Sequence, residues 1–437
     1  YGIEAKPEEE ILIANSPKEF ASLVLRLIND NELYTRIARN ARRLVEERYD
    51  WYKIAKRLDY VYQEVISSYD LIGKKQECIS ASQPVKSPVV LDRREDSLIK
   101  ILHKSREIAE KAIENTNQPR SAQEGPEELH IELTHNCDSR CIMCDLWDYR
   151  KRIPTAAQDL SLEEIQRFVK NSHLLKNIKT VVLSGGEPFL SKDLVDIVSF
   201  FNAYYPGASI GILTNAKETD LVISKVRKIV DECKVDNFWL GSSLDGIGAR
   251  HDRIRGVKGA FDGLLRTIRA IKGDFPGVDF SATMTLTPYN ADQLLPAKDF
   301  ADEMGINFFA QFVVPKEARE RFIWKENDLR LIGAQVRRII EDIIGRRDYG
   351  KFLKSIDKVE DIDLITKIYY WAHLVEHQNN PQRFFKKCIA GYKFAMFNPY
   401  GDLFFCPVFK ERIAGNVREK GFDELWSSEA AQRFRDF

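Results

Sequence analysis

From about residue 128 onward the apolar positions change period again and again. Short runs rich in Val, Ile, Leu, Phe and Thr fall at 129–134, 179–184, 208–213, 237–243, 279–286 and 306–313; each has the length of a strand and is bounded by turn residues. Between them apolar residues recur every three or four positions, as on one face of a helix. The segment 161–172 opens with Ser161 and Glu164, which can form a capping box, and 260–272 carries Phe261, Leu264, Leu265, Ile268 and Ile271 along one stripe. Strand and helix alternating in this way predict an α/β fold with a parallel sheet, because parallel neighbours must be joined by a crossover lying on the sheet face. Ligands of such sheets sit at the C-terminal strand ends.

The remaining pattern divides the chain further. In residues 1–66, Ser16-Pro17-Lys18-Glu19 reads as a helix start, with Ser16 as cap, Pro17 in the first turn and Glu19 closing a capping box. Phe20, Leu23, Val24, Leu27 and Ile28 then form one apolar stripe, and Leu33, Ile37, Ala41, Leu44 and Val45 a second. Trp51, Ile54, Leu58, Val61 and Val65 form a third. Three short amphipathic helices bury little alone, so this piece is expected to dock onto something else. Residues 67–126 read as a linker containing one helix, with 80–88 and 115–125 having the composition of an extended connector. Residues 315–387 are charged, mainly helical and without a motif. Because the chain opens on Tyr1 within an expected ordered element, it reads as cut from something longer.

Charge narrows the function classes. Lys+Arg and Asp+Glu number 66 each, so no bulk field draws the chain to nucleic acid or to an acidic membrane. Arg337-Arg338 and Arg346-Arg347 read as a solvated helix face rather than a basic patch. No apolar run reaches the ~18 residues of a membrane span, and no signal peptide is seen. Seven cysteines, three of them clustered, point to metal ligands in a reducing compartment, hence the cytoplasm, rather than to a disulfide framework. Cys78 stands alone in the linker, and Cys233 reads as a core thiol.

The chemistry concentrates in Cys137, Cys141 and Cys144, a Cys-x3-Cys-x2-Cys loop directly after the first expected strand. A [4Fe-4S] cube normally takes four thiolates; three leave one iron with an open position. Structural zinc, with His135 or a distant residue as fourth ligand, is the plainer alternative for this spacing. The second strand runs into Gly185-Gly186-Glu187-Pro188, where the glycines let a ligand approach the backbone. With Trp147 just after the last cysteine, these stretches resemble the radical S-adenosylmethionine (SAM) superfamily.

The resemblance implies a partial (β/α)6 TIM-type barrel in which the amino and carboxylate groups of SAM chelate the open iron. One electron, delivered by a donor such as flavodoxin or ferredoxin, would split SAM into methionine and a 5′-deoxyadenosyl radical that takes a hydrogen atom from substrate. The strand end at Gly185, Gly186 and Pro188 would bind the SAM ammonium, with Glu187 supplying compensating charge. Thr214 and Asn215, and then Ser243 and Asp245, would meet the ribose or amino-acid portion. The run from Ser243 to Gly246, followed by His251-Asp252-Arg253-Ile254-Arg255-Gly256, is similar to the branch with peptide-modifying and sulfatase-maturing enzymes. There Arg255 would pair with the SAM carboxylate.

Two further resemblances lie at the ends of the chain. Cys388-Ile389-Ala390-Gly391 and Asn398-Pro399-Tyr400-Gly401-Asp402-Leu403-Phe404-Phe405-Cys406-Pro407, the second with a good hairpin turn, resemble the SPASM/twitch extension. By that resemblance Cys388 and Cys406 ligate an auxiliary iron–sulfur cluster; the later cysteines of a full extension do not occur before Phe437. The run from Leu12 to Phe20, with Asn40-Ala41-Arg42 and Tyr49-Asp50-Trp51, resembles the C-terminal tail of two-Rossmann-domain glycosyltransferases but carries over no catalytic residue. The expected order is a helical tail fragment (1–66), linker (67–126), partial barrel (127–314), helical insertion (315–387) and small α+β iron–sulfur extension (388–437). The expected function is a radical SAM enzyme acting on a peptide or carbohydrate-type substrate. The alternative is a glycosyltransferase-linked iron–sulfur binding or scaffold module without radical chemistry.

Overall fold

The computed structural model describes residues 5–44 (apart from 15), 104–108, 111, 124–147, 158–313, 322–345, 362–379 and 388–436 (apart from 411). The chain divides into two compact units, Tyr1–Pro84 and Val85–Phe437.

In the first unit, α1 (Pro17–Asn29) begins as its sequence dictates. Ser16 is extended and its hydroxyl accepts the Glu19 N–H at 3.3 Å, while Pro17 gives up only a donor that a helix start leaves unused. In α2 (Asn31–Leu44) the first turn is held by Asp30, whose carboxylate accepts the Leu33 N–H at 2.9 Å. Leu33 and Leu44 are buried, whereas Phe20, Leu25 and Ile28 are exposed. The third stripe, 51–65, and most of the linker lie outside the described residues.

The second unit is built on one sheet. Its strands are β1 (Glu128–Thr134), β2 (Thr180–Gly185), β3 (Ser209–Thr214), β4 (Phe238–Ser243), β5 (Asp279–Leu286), β6 (Asn307–Phe312), β7 (Phe394–Phe397), β8 (Asp402–Phe404) and β9 (Gly415–Asn416). They are ordered β6-β5-β4-β3-β2-β1-β7-β8-β9. The first six are parallel, and their bounds match the expected ones to within one residue. Between them run α3 (Leu162–Lys170), α4 (Leu194–Tyr204), α5 (Thr219–Arg227), α6 (Ala249–Arg255), α7 (Ala260–Asp274) and α8 (Leu294–Glu303). This is a partial (β/α)6 barrel. The α3 capping box is complete, with Ser161 Oγ accepting from Glu164 N and Glu164 Oε2 from Ser161 N.

Strand alternation sorts the side chains. Ile131, Leu183, Ile212, Leu240 and Phe280 lie in one register row and are all buried in the core shared with the helices. Each such side chain contributes roughly 1.5–3 kcal/mol on burial. The opposite, lumenal face carries His130, Glu132, Ser184, Leu213, Ser243, Thr283 and Phe309, of which Leu213 and Phe309 are exposed.

Beyond β6 the chain forms α9 (Glu326–Ile344) and α10 (Ile362–Asn379). From α10 the Tyr370 hydroxyl accepts the Ala310 N–H at 3.0 Å and donates to the Ala310 carbonyl, occupying part of an edge that would otherwise invite pairing with another strand. On α9, Arg337 and Arg338 pair with Glu341 and Asp342 one turn on, at 3.0 and 3.2 Å. That is the solvated face expected of them; Arg346 and Arg347 lie outside the described residues.

The C-terminal extension continues the barrel sheet. Strand β7 pairs parallel with β1, and β8 and β9 follow antiparallel. In the β7–β8 turn Asn398 Oδ1 accepts the N–H groups of Tyr400 and Asp402 at 2.9 and 3.0 Å, and Gly401 takes a φ of 93°. Phe397 packs on Phe168 and on Phe422, which stacks on the fully buried Trp426 of α11 (Phe422–Trp426). Arg418 clasps Glu164 through Nε at 2.7 Å and Nη2 at 3.0 Å. The barrel, the described part of the helical insertion and the extension, read from sequence as consecutive pieces, therefore share one unit. The joint is β1 itself, which has barrel and extension as its two neighbours. Among the described residues no helix is long and apolar enough to cross a membrane.

Asp423 accepts from the Ser172 hydroxyl and from the N–H groups of His173 and Leu174, the latter two at 2.9 and 3.4 Å. Replacing Asp423 with Ala strands the Ser172 hydroxyl and the His173 N–H, while the Leu174 N–H keeps Ser172 Oγ at 3.1 Å, and is expected to cost about 1–3 kcal/mol. The check is a lower urea midpoint at unchanged slope.

Candidate active site

After Thr134 the chain leaves the sheet and forms the cysteine loop, which is gripped from three directions, by the ends of β2, β3 and α6. At the end of β2, Gly186 N–H donates to Thr134 O at 2.6 Å and Glu187 N–H to Asn136 O at 2.8 Å. A Cβ on Gly186 would lie 2.3 Å from Asn136 O, and Gly185 has a φ of +128° with Thr134 O as close. Both glycines are thus required by the loop itself, apart from any ligand. At the end of β3, Asn215 Nδ2 and Lys217 Nζ reach Asp138 at 2.6 and 3.0 Å. At the end of α6, the carbonyls of Arg255 and Ile254 accept from Arg140 N and Ile142 N at 2.9 and 3.0 Å. Before the loop, still on β1, Glu132 Oε1 lies 2.5 Å from Lys410 Nζ of the extension, while Glu132 Oε2 lies 3.0 Å from His135 Nε2.

Cys141 is buried and Cys137 and Cys144 are half-buried; none is in a disulfide. Burial pushes the Cys141 thiol up to about 12 and raises Cys137 as well, with the Arg255 guanidinium pulling both back. A bound cation reverses that penalty outright. The Ser139 hydroxyl, between Cys137 and Cys141, is buried without a hydrogen-bond partner. Three thiols on one loop, beside an orphaned hydroxyl and the half-buried Arg255 guanidinium, fit an iron–sulfur cluster. Among the described residues no three His, Cys, Asp or Glu side chains converge on a single ion. The thiolates of a cube have no need to, since each takes a different iron.

The neighbouring strand ends are tied together by buried carboxylates. Glu187 is 3% exposed and accepts from Thr214 Oγ1 at 2.8 Å, Asn215 N at 2.7 Å and Phe189 N at 3.0 Å. Burial pushes its pKa up to about 7 against the pull of these donors. Its carboxylate thus faces the end of β3, and Thr214 and Asn215 are its partners. Pro188 opens a short turn, Pro188–Leu190, capped by Glu187. Asp245 is fully buried and accepts from Arg255 Nη1 at 3.3 Å and Thr285 N at 2.8 Å. Burial raises its pKa and Arg255 opposes the rise. The Asp245 N–H donates to Nδ1 of His251 at 3.1 Å, and burial lowers His251 to about 3, so this ring is neutral. Ser243 ends β4, half-buried, opposite Thr283.

On the lumenal face of β1, His130 Nε2 lies 2.5 Å from Ser184 Oγ, and burial lowers this histidine to about 4. Burial works against the Glu132 charge, but His135 and Lys410 prevail and hold its pKa down at about 2. Asp138 and Lys217, which brace the loop, and the Glu132–Lys410 pair beside it were not legible in the sequence. Glu132, Asp138 and Lys410 had only closeness to a cysteine as a local hint and Lys217 closeness to Asn215, and the partner of Lys410 lies 278 residues away.

Cys388 and Cys406 are placed apart from the first three. Phe394, at the start of β7, stands opposite Glu128 at the start of β1, and β8 runs back antiparallel. Both cysteines therefore flank the end of the hairpin nearest the start of β1, whereas Cys137 follows its finish. Each thiol accepts an N–H from two residues on, Ala390 at 3.5 Å and Val408 at 3.4 Å, as Cys137 does from Ser139 at 3.4 Å. Amide donors to sulfur are a feature of iron–sulfur ligation. Cys233, read from sequence as a core thiol, follows a short helical turn and is only half-buried at the edge of the core, and Cys78 is outside the described residues.

Residues 131–301 match the family model described as the radical SAM superfamily, and residues 388–437 match that described as an iron–sulfur cluster-binding domain. The chain therefore carries a radical SAM domain and a SPASM-type iron–sulfur domain. It is a radical SAM enzyme, whose cofactors are a [4Fe-4S] cluster and SAM, with an auxiliary iron–sulfur cluster implied by the second domain. Among curated relatives, the pre-heme d1 synthase of Dinoroseobacter shibae is 26% identical, covering 71% of this chain and 75% of its own. The AdoMet-dependent heme synthase of Methanosarcina barkeri is 25% identical, covering 74% and 87%. The solved structure of Streptococcus suis SuiB bound to S-adenosylmethionine has a TM-score of 0.49 at 18% identity, covering 72% and 68%. The glycosyltransferase reading of residues 1–66 is not supported by these comparisons, and the scaffold alternative built on it is not favoured.

Two expectations follow. Gly186→Ala must push the loop off β2, and is expected to lower iron bound at the first site well below the wild-type content, read by iron analysis after reconstitution. For Glu187, a folded pKa of about 7 lies above the ordinary carboxylate value of 4.5, so the folded chain keeps this proton to higher pH than the unfolded one. The stability of wild type relative to Glu187→Gln should therefore fall, on the order of a few kcal/mol, as pH rises from about 4.5 to about 7, then level off. Urea denaturation of both proteins across that range reads the difference.

Proposed function

We propose that Cys137, Cys141 and Cys144 hold the [4Fe-4S] cluster and that the ends of β2, β3 and β4 hold SAM beside it. Loaded in this way, such a site supplies one-electron cleavage of SAM to methionine and a 5′-deoxyadenosyl radical, which abstracts hydrogen from substrate. The observation that carries the reading is a loop with three thiols, clamped to the Gly185–Glu187 strand end and faced by the Arg255 guanidinium.

Within it the residues divide their work. Gly185, Gly186 and Pro188 bring bare backbone to the SAM amino group. Glu187 fixes Thr214 and Asn215, and through Asn215 also Asp138 of the loop. Asp245 orients Arg255 through Nη1, leaving the rest of the guanidinium fork for the SAM carboxylate. Ser243 offers a hydroxyl towards the ribose. Cys388 and Cys406 serve the auxiliary cluster. Flavodoxin or ferredoxin supplies the electron, in the cytoplasm.

The substrate is of peptide or carbohydrate type and occupies the lumen, where Ser243, Thr283, Leu213 and Phe309 offer hydroxyls and apolar surface. The relatives named as heme synthases favour a tetrapyrrole as a second reading.

The test is anaerobic reconstitution followed by electron paramagnetic resonance with and without SAM, with 5′-deoxyadenosine assayed in parallel. A [4Fe-4S] signal shifted by SAM and reductant-dependent 5′-deoxyadenosine are expected. Cys141→Ala should abolish both, whereas Cys406→Ala should spare the first cluster. A wild-type cluster indifferent to SAM sinks the reading, and loss of the first cluster in a folded Cys406→Ala protein counts against separate clusters.

A further inference from the structure

The contact between Lys410 and Glu132 has a placement that stability alone does not explain. Glu132 is on the lumenal face of β1, five residues before Cys137, with its side chain 4% exposed. Lys410 is four residues after Cys406, and its side chain is 40% exposed. The ammonium lies 2.5 Å from Glu132 Oε1 and 5.7 Å from the centroid of the Phe404 ring of β8. The second carboxylate oxygen is taken by His135, two residues before Cys137, whose ring meets Tyr400 edge-on at 5.2 Å. One buried carboxylate is thus shared by the root of the first cysteine loop and by the loop carrying Cys406. Replacing a buried ion pair with apolar packing is often neutral or stabilising, so such a pair is weak evidence for stability and is better explained by the geometry it enforces.

After β8 the segment is turns, in which Phe409 N–H bonds to Cys406 O and Arg412 N–H to Phe409 O. Within it the Lys410 side chain ties the Cys406 loop directly to β1.

We propose that Lys410 is a positioning residue. By its ion pair with Glu132 it sets where the Cys406 thiol stands relative to the barrel, and so fixes the auxiliary iron–sulfur site against the first. The inference rests on the reading of Cys388 and Cys406 as auxiliary ligands. It assigns Lys410 no contact with substrate or SAM.

The test uses the full chain, reconstituted anaerobically, as wild type, Lys410→Met, Lys410→Arg and Cys406→Ala. Lys410→Met keeps the apolar stem but removes the charge; Lys410→Arg restores the charge. The readouts are iron per chain, the resonance spectrum of each reduced cluster and the auxiliary midpoint potential. In Lys410→Met the auxiliary signal should shift, or fade towards that of Cys406→Ala, while the SAM-responsive first signal stays as in wild type. Lys410→Arg should recover the auxiliary signal. An auxiliary spectrum and potential unchanged in Lys410→Met overturn the assignment, because the pair is then no more than a fold contact. Loss of the first signal together with the auxiliary one overturns it too, because the pair then braces the whole lumen wall. A wild-type protein with a SAM-responsive cluster but no auxiliary signal also overturns it and leaves the SAM reading standing.

Discussion

The end of β2 governs the site. Two main-chain hydrogen bonds, Gly186 N–H to Thr134 O and Glu187 N–H to Asn136 O, carry the sheet ladder onward into a loop that has left the sheet. They form only because two residues without side chains let the strands come so close. The Glu187 carboxylate then turns the opposite way and gathers the end of β3. Burying that carboxylate is unfavourable, as its raised pKa records, and three donors offset part of the cost. A chain that accepts such a cost at a strand end holds its cysteines rigidly, and a ligand set for a cluster benefits from being held before the cluster arrives.

The second organising element is β1, which has two roles. On one side it pairs with β2 and delivers the cysteine loop; on the other it pairs with β7 and carries the extension. The two groups of cysteines consequently lie towards opposite ends of one seven-residue strand, which spans about 20 Å. The lumen lies along its inner face, where the charge of Glu132 is compensated by Lys410 and His130 and His251 are held neutral by burial. What remains is a chamber wall of hydroxyls and apolar groups. That suits chemistry in which a neutral hydrogen atom moves and stray proton donors are unwelcome.

The helical insertion has a role that its composition does not announce. Tyr370 engages both main-chain groups of Ala310 on the outer strand, and Trp371 stacks on Phe308. An incomplete barrel leaves its last strand with an open edge, and Tyr370 of α10 occupies part of it.

Much of this was legible in the sequence because it is local. Short apolar runs rich in β-formers against a period of three to four made the six strands and helices such as those at 161–172 and 260–272 readable, and Ser161 with Glu164 marked a helix start that forms as expected. Cys137, Cys141 and Cys144 were legible because ligands on one loop are close in sequence, and Gly185-Gly186 because a turn into a tight approach admits little else. The tertiary structure decided the rest. Which strand would take β7 as neighbour, that Asn215 would spend its amide on Asp138, and that Lys410 would reach Glu132 are matters of pairing between distant segments. A residue's own neighbours carry no information about such a partner, since a lysine in a turn reads as solvated until the fold brings a buried carboxylate within reach. Sequence determined the elements and the first set of ligands; only packing decided how the two cysteine sites are joined.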